Sequence, residues 1–419
     1  MSAERSPSWR HPLLALGDRV AARLPPGQRR AGWWEARLWL SVSPLAYLGL
    51  RLLGRRRSVR LPRFGTIVND PSMGRAILVD ARRFRTVGPG THGELLNRAI
   101  GPGALLNMDG PDHESLRRIL GPVLASESAA RIVEASACPP IIDAVERLAR
   151  GEDVDLVRLA RVITGRTTFT LLGAPPPPDG DEGYLASYRL GETLLAMTVD
   201  AIRRGPRDAD LERAKALTDE LVAPGRAGWT AGTGVMGRLR DLGFAFDDAR
   251  ALVAVIILAG TETVTSGAPR IAALLLDNGR WGSIAGDAAA REAVIEEGLR
   301  LTTPSEFIVR SAAEAATLGG RRFAAGERVF VSLYGMTRWR ALYDGDPERL
   351  RTGEPMPREL RQLWFGAGPH FCIGAPIARE ELRRLFAALA PFERLRIVDR
   401  WPAAGVLFPA YGGLVVRAA

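Results

Sequence analysis

From Ala251 to Gly279 the chain reads ALVAVIILAGTETVTSGAPRIAALLLDNG, apolar on nearly every helical face and relieved only by a short polar patch in the middle. Asp247 and Asp248 stand ahead of the run as candidate N-caps, so the pattern predicts one long helix. A helix that is apolar all round belongs at the centre of a fold. Residues 110–124 (GPDHESLRRILGPVL) read as another helix, and 63–70 (RFGTIVND) alternate as a short strand leading into a helix that ends near Phe84. The stretch 316–334 (ATLGGRRFAAGERVFVSLY) alternates on both sides of Gly319 and Gly320 and predicts a hairpin. Residues 88–107 are a glycine-rich loop region, the four prolines at 175–178 are a hard break between helical stretches, and a further helix follows 205–210. Helices dominate, with a small strand-rich part near both ends of the chain.

The segment 38–50 (LWLSVSPLAYLGL) departs from this pattern. It is apolar, with Trp33 and Trp34 before it and Arg55, Arg56 and Arg57 after it, but only 13 residues separate Arg37 from Arg51 and Pro44 interrupts them. A spanning helix needs about 20, which excludes a transmembrane anchor here. Two readings stay open for it: a helix packed on the domain, or an amphipathic element at a membrane interface.

Composition adds limits. The 419 residues, 46% hydrophobic and 25% charged, are ordinary for a globular chain. Two cysteines, Cys138 and Cys372, give no disulfide framework and fit a reducing cytoplasm. The net charge of +10 is nearly all arginine, since Lys215 is the only lysine. No basic stripe interleaved with aromatics and no zinc spacing accompanies it, so no nucleic-acid partner is expected.

Within AGTETV (259–264), Gly260 weakens the helix before an acid, Glu262, and a hydroxyl, Thr263. A threonine bonding a carbonyl one turn back opens a helix locally, and an opened turn with an acid can pass protons. A capped or kinked core helix is the plainer account. Glu297 and Arg300 lie three apart on one helical face, as do His113 and Arg117 at four apart; each pair alone reads as an ordinary surface feature. In FGAGPHFCIG (365–374), glycines let the backbone approach a flat object closely, and Cys372 lies just ahead of a helix N-terminus that favours a thiolate. A nucleophile would want a better-placed base than His370, and zinc would want more ligands. Haem iron, which takes one thiolate, suits a lone cysteine best.

FGAGPHFCIG resembles the haem-binding signature of the cytochrome P-450 family, Phe-x-x-Gly-x-x-x-Cys-x-Gly, with every fixed position filled. AGTETV is similar to the family's oxygen-activation motif, Glu297-x-x-Arg300 to its helix-K pair, and His113 and Arg117 to its helix-C pair. The likeness runs from about residue 60 to the C-terminus. It implies a mainly α fold with a small β part, haem b (iron protoporphyrin IX) lying between the long central helix and the cysteine loop. Residues 1–60 are then an N-terminal extension and 61–419 one catalytic domain. Cys372 is the implied iron ligand; His113, Arg117, Ala259, Gly260, Arg310, Phe365, Gly366, His370 and Gly374 are implied haem contacts. Glu262 and Thr263 are the implied catalytic pair, and Glu297 and Arg300 a structural pair.

The implied activity is a cytoplasmic monooxygenase inserting one atom of O2 into a lipophilic small molecule, in secondary metabolism. Electrons would come from NAD(P)H through a ferredoxin reductase and ferredoxin, docked on Arg117, Arg118, Arg358, Arg361, Arg379, Arg383 and Arg384. The implied pocket takes in the loop 88–104, helices around 184–210, Leu258, Ala259, Ile308, Leu407 and Phe408. Three departures stand out: Pro269 should kink the central helix; Thr337, Arg338 and Trp339 replace the common Asn-Arg-Asp; and the third member of the Glu297–Arg300 cluster is Arg358 or Arg361. Oxidative coupling, desaturation or peroxide-driven chemistry on the same fold is the first alternative, and a non-catalytic haem or partner protein the second.

Overall fold

A computed structural model describes residues 28–89, 91, 105–204 and 207–418 of the chain. Helices fill most of it, and the strands fall into three small sheets. The five-stranded sheet runs β1 (Ser58–Leu61), β2 (Gly65–Val68), β8 (Arg328–Ser332), β5 (Phe307–Ala312), β3 (Phe84–Arg85) in spatial order. Its one parallel step, β2 beside β8, joins the early chain to the late chain. A three-stranded sheet sets β10 (Tyr411–Ala418) between β4 (Val154–Asp155) and β9 (Leu395–Pro402). The expected hairpin is shorter than its alternation suggested. β6 (Ala316–Leu318) and β7 (Arg321–Phe323) pair across Gly319 and Gly320 at φ +55° and +76°, the left-handed geometry of a tight hairpin turn. The rest of the alternating stretch leaves to become β8.

Helices α1 (Gln28–Val42) and α2 (Pro44–Leu53) are separated at Ser43, where Pro44 opens α2 in the first turn that tolerates proline. The expected boundary at residue 60 meets a structure in which β1 straddles it and α1 packs inward. Ala31 and Leu38 join the main core, and Trp39, Leu50 and Tyr334 form a small aromatic cluster. Glu35 on α1 holds Arg270, a fully buried side chain, at 2.5 Å. On the outer face of α2, Leu45, Leu48 and Leu52 are exposed.

Further along are α3 (Pro111–Leu120), α4 (Leu156–Leu172) and α5 (Asp181–Arg204). The long central run comes as two segments, α6 (Phe246–Thr261) and α7 (Thr263–Asp277). Asp247 and Asp248 sit in the first turn of α6, where they suit the helix dipole, and Ala245 occupies the cap position. The local opening expected within AGTETV falls at Glu262, and the second segment runs through Pro269. Hydroxyls explain this placement: Thr261 donates to Ile257 O at 2.8 Å and Thr265 to Thr261 O at 3.0 Å, competing with the backbone ladder on both sides of Glu262. Among the described residues, Phe246–Asp277 is the one helical run long and apolar enough to cross a membrane, and most of it is buried within the protein.

Below the central helix, α8 (Ala288–Thr302) and α9 (Ala375–Leu389) pack together. Glu381 on α9 is buried, and the Thr167 hydroxyl of α4 donates to it at 2.9 Å. Burial pushes its carboxyl up to about 7, against the lowering effect of that hydroxyl.

Two outcomes follow for stability. Replacing Glu35 by Ala strands the buried Arg270 charge and should cost about 3–5 kcal/mol in urea unfolding, with Glu35→Gln costing less. Between about pH 4.5 and 7 the folded protein retains a proton on Glu381 that the unfolded chain has released, so this group makes stability fall as pH rises. Glu381→Gln should therefore gain up to about 3 kcal/mol relative to the parent between pH 4.5 and pH 8, read from urea midpoints at each pH.

Candidate active site

The loop 365–374 owes its shape to residues that accept unusual backbone angles. Gly366 and Gly368 have φ of +79° and +69°. A Cβ on Gly368 would lie 2.6 Å from Leu78 O, so only glycine lets the loop press against the helix Pro71–Val79. A Cβ on Gly366 would meet Ile308 Cδ1 of β5 at 3.4 Å. The Cys372 N–H donates to Phe365 O at 2.9 Å and closes the loop just ahead of α9. The Arg379 guanidinium of α9 lies over the Phe365 ring, 5.2 Å from its centroid.

Cys372 keeps free surface although protein encloses it, which places its sulfur on an internal slot and not on the outside. Burial raises its thiol; the N–H groups of Gly374 and Ala375 and the Arg117 charge oppose that rise without overcoming it. Across the chain's core the same signature recurs: Ala259 and Gly260 are exposed in mid-helix, Thr263 and Ile308 half so. A Cβ built on Gly260 meets no atom within 4 Å. Small residues of α6 thus leave open space, whereas Leu258 packs in the main core.

At the edge of the slot stands a cluster of donors. The rings of His113 and His370 stack with centroids 4.0 Å apart. His370 Nε2 lies 3.1 Å from Asp109 Oδ1 and 3.2 Å from the Thr86 hydroxyl. Asp109 also accepts the N–H groups of Thr86 and Val87; burial raises its carboxyl, and these bonds with His370 bring it below the usual range. Burial, then the charges of His370 and Arg117, push His113 down to about 4. Arg117 is lowered by burial. Arg310 is buried, brought down to about 10 by loss of solvent, and its Nε has no partner. Two imidazoles and the Arg310 guanidinium therefore share one carboxylate that is already engaged, while the charged neighbour of Arg117 is Cys372. A group carrying carboxylates would fit this cluster of donors.

Glu262, at the break in the central helix, turns away from this cluster. Its Oε2 accepts the Leu407 N–H at 3.0 Å, and its Oε1 has no partner. Burial pushes the carboxyl up to about 7. Beside it is a cavity of about 10 Å³, the space of a single water, lined by Arg161, Tyr188, Glu192, Thr265 and Phe408 among others. Leu407 and Phe408, read as pocket wall, thus also fix the acid. The Thr263 hydroxyl has only long contacts, 3.4 Å to Gly260 O and 3.5 Å to Ala259 O, which leaves it free to turn.

Glu297 and Arg300 are buried and doubly bonded, both contacts at 2.7 Å. The expected third partner, Arg358 or Arg361, is exposed in both cases and elsewhere. Its place is taken by main chain: the Arg351 N–H donates to Glu297, and Arg300 donates to Thr337, Pro347 and Arg349 carbonyls. In the replaced Asn-Arg-Asp stretch, Arg338 donates to Leu301 O and to the Thr337 hydroxyl, while its Nε has no hydrogen-bond partner. The arginine face also needs correction. Arg379 pairs with Glu296 and Glu292 and Arg383 with Glu292, because α8 presents these acids to α9, while Arg384 pairs with Glu380 of its own helix and with Glu134. Arg117 turns inward. That surface is mixed in charge.

Most of the loop 88–104, and the side chains at 198–199 and 201–206, lie outside the described residues. Sequence reading passed over Asp109, Tyr188 and Glu306. Asp109 alone had a signal, an acid just before the helix-opening Gly110-Pro111.

Comparison with known proteins fits this arrangement. The profile of the cytochrome P450 family matches residues 291–390. Cytochrome P450 165B3 of Amycolatopsis orientalis is 30% identical over 334 residues, 74% of this chain and 77% of that relative. The erythromycin C-12 hydroxylase of Saccharopolyspora erythraea is 29% identical over 317 residues, 71% of this chain and 75% of the relative. Two relatives from Mycobacterium tuberculosis align more narrowly, the chain spanning about a third (34%) of their length. Among solved structures, that of CalO2 superposes with a TM-score of 0.73 at 24% identity, covering 90% of this chain and 96% of that one.

Proposed function

Because this chain belongs to the cytochrome P450 family, of bacterial type, we propose that it is a haem-thiolate monooxygenase that inserts one atom of O2 into a lipophilic small molecule. The observation that carries this is an enclosed thiol, Cys372, close to a donor cluster in which the Nε of buried Arg310 has no partner. Haem, of the b type, supplies the dioxygen chemistry when bound, its iron made electron-rich by the cysteine thiolate. Cys372 is the ligand. His113, Arg117, Arg310 and His370 hold the haem carboxylates, and that anion relieves the charge they otherwise leave uncompensated.

Glu262 and Thr263 manage protons. An acid held near neutral both gives and regains a proton at working pH. Its fixed oxygen on the Leu407 N–H keeps the other oxygen beside the water-sized cavity, and the loosely held Thr263 hydroxyl can turn to donate into the slot. Glu297 and Arg300 keep the largely irregular stretch from Thr337 to Arg351, the meander, in place. Reducing equivalents from NAD(P)H arrive through a ferredoxin reductase and a ferredoxin, whose docking on a mixed-charge face favours specific ion pairs over a broad positive field. The intact acid and hydroxyl support use of O2 over the coupling, desaturation and peroxide-driven alternatives, and also speak against a non-catalytic haem protein. The outward leucines of α2 beside Arg55, Arg56 and Arg57 support a peripheral membrane contact of an otherwise cytoplasmic enzyme, suited to lipophilic substrates of secondary metabolism.

The reduced, carbon monoxide-bound protein should show a strongly red-shifted Soret band that is lost in Cys372→Ser; a band at the position of histidine-ligated haem in the parent overturns the proposal. Glu262→Gln and Thr263→Ala should keep that band but slow product formation about 100-fold or more. Their consumption of NAD(P)H should fall less than product, measured as product formed per NAD(P)H with surrogate ferredoxin partners.

A further inference from the structure

The wall between the central helix and the cysteine loop is the chain from Pro304 to Arg310, and its two ends are fixed. A Cβ on Gly267 of α7 would lie 3.6 Å from Pro304 Cγ, and Ile308 reaches the cysteine loop at Gly366. The Tyr334 N–H donates to Glu306 O at 3.3 Å, holding the intervening residue beside β8 in line with β5. Along an extended chain alternate side chains share a face. Ile308 and Arg310 already face the slot, so Glu306 is the third residue of that face. It is half-exposed although protein encloses it, the same combination found at Cys372.

Among the described residues its carboxyl has no side-chain partner. The charged groups that act on it are Arg270 and Glu262, both on the central helix, apart from its own backbone N–H. Arg270 is spent on Glu35, Ser266 and Pro409 O, and Glu262 adds negative charge. Of the other slot residues, Ala259, Gly260 and Ile308 carry no polar side-chain atom, Thr263 offers a neutral hydroxyl, and Arg310 is not among the charges that act on Glu306. An acid in such surroundings is costly unless something arrives to pair with it.

Resting on the monooxygenase reading, we propose that Glu306 is the polar anchor of the substrate site and selects lipophilic substrates that carry a basic amine. The amine N–H would form a charge-assisted hydrogen bond to the carboxylate, stronger than a hydroxyl could make. The negative field of Glu262 and the neutralised Arg270 favour a cation over an anion there. Burial holds the empty carboxyl up at about 8, so an arriving amine completes an ion pair where neither an anion nor a plain hydrocarbon finds compensation.

The test uses haem-loaded protein and a matched pair of probes, N,N-dimethyl-4-phenylbutylamine and its isostere with carbon in place of nitrogen, with binding followed by equilibrium dialysis and by spin-state shift. In the parent the amine should bind about tenfold more tightly than the isostere or better. Glu306→Gln should bring the two within about twofold, and Glu306→Asp, which keeps the charge, should retain a preference. Equal affinity in the parent, absence of binding of both probes, or a preference that survives in Glu306→Gln overturns the anchor; amine ligation of iron would show itself by that survival. The carbon monoxide band separates the two levels. A parent that lacks the thiolate-type band fails the monooxygenase reading, whereas one that has it and shows no amine preference fails the anchor alone.

Discussion

Buried charge is the constraint on which this structure turns. A guanidinium taken from water must be paired and hydrogen-bonded or it costs several kcal/mol. Two of the buried arginines that meet that condition also tie the fold together. Arg300 is held by both oxygens of Glu297 and three carbonyls, and Arg270 by Glu35, Ser266 and Pro409 O. Each ties together segments far apart in sequence, the meander in one case and the first helix in the other. Arg310 does not meet it: one nitrogen reaches Val309 O and its Nε has nothing. The contrast separates scaffold from site. A fold that satisfies Arg300 five times over and leaves Arg310 open is arranged around a missing anion, and Cys372 lies on the same slot.

Much of this was legible in the sequence, for local reasons. The cysteine loop announces itself because its glycines supply positive φ, a requirement that holds within ten residues. The central helix announces itself by being apolar all round. Its opening within AGTETV was also legible, because threonine hydroxyls compete with the backbone ladder there, although the bonds come from Thr261 and Thr265 on either side of Glu262 and the helix runs on through Pro269. The larger misses all depend on tertiary neighbours. The partners of Glu297 and Arg300 are carbonyls, which carry no residue signature, so a search for a third arginine looked for the wrong kind of group. The arginines of α9 read as a positive face because the acids opposite them lie on α8, about ninety residues away in sequence. Glu306 passed unseen since an acid beside a short strand is ordinarily solvated, and only the enclosure made by α7 and β8 changes its meaning.

The two acids near the slot differ in how they are held, and the difference bears on what each can do. Glu262 has one oxygen fixed by the Leu407 N–H, and the other faces a single-water cavity. A group held at one end keeps its position through a change of protonation, as a relay must. Glu306 is held only through its backbone, so its side chain is free to adapt to what enters. Its preference for the neutral form is set first by burial, with Glu262 adding to it against Arg270 and its own N–H. One acid is thus fixed in place for a relay, and the other is free to follow what enters beside it.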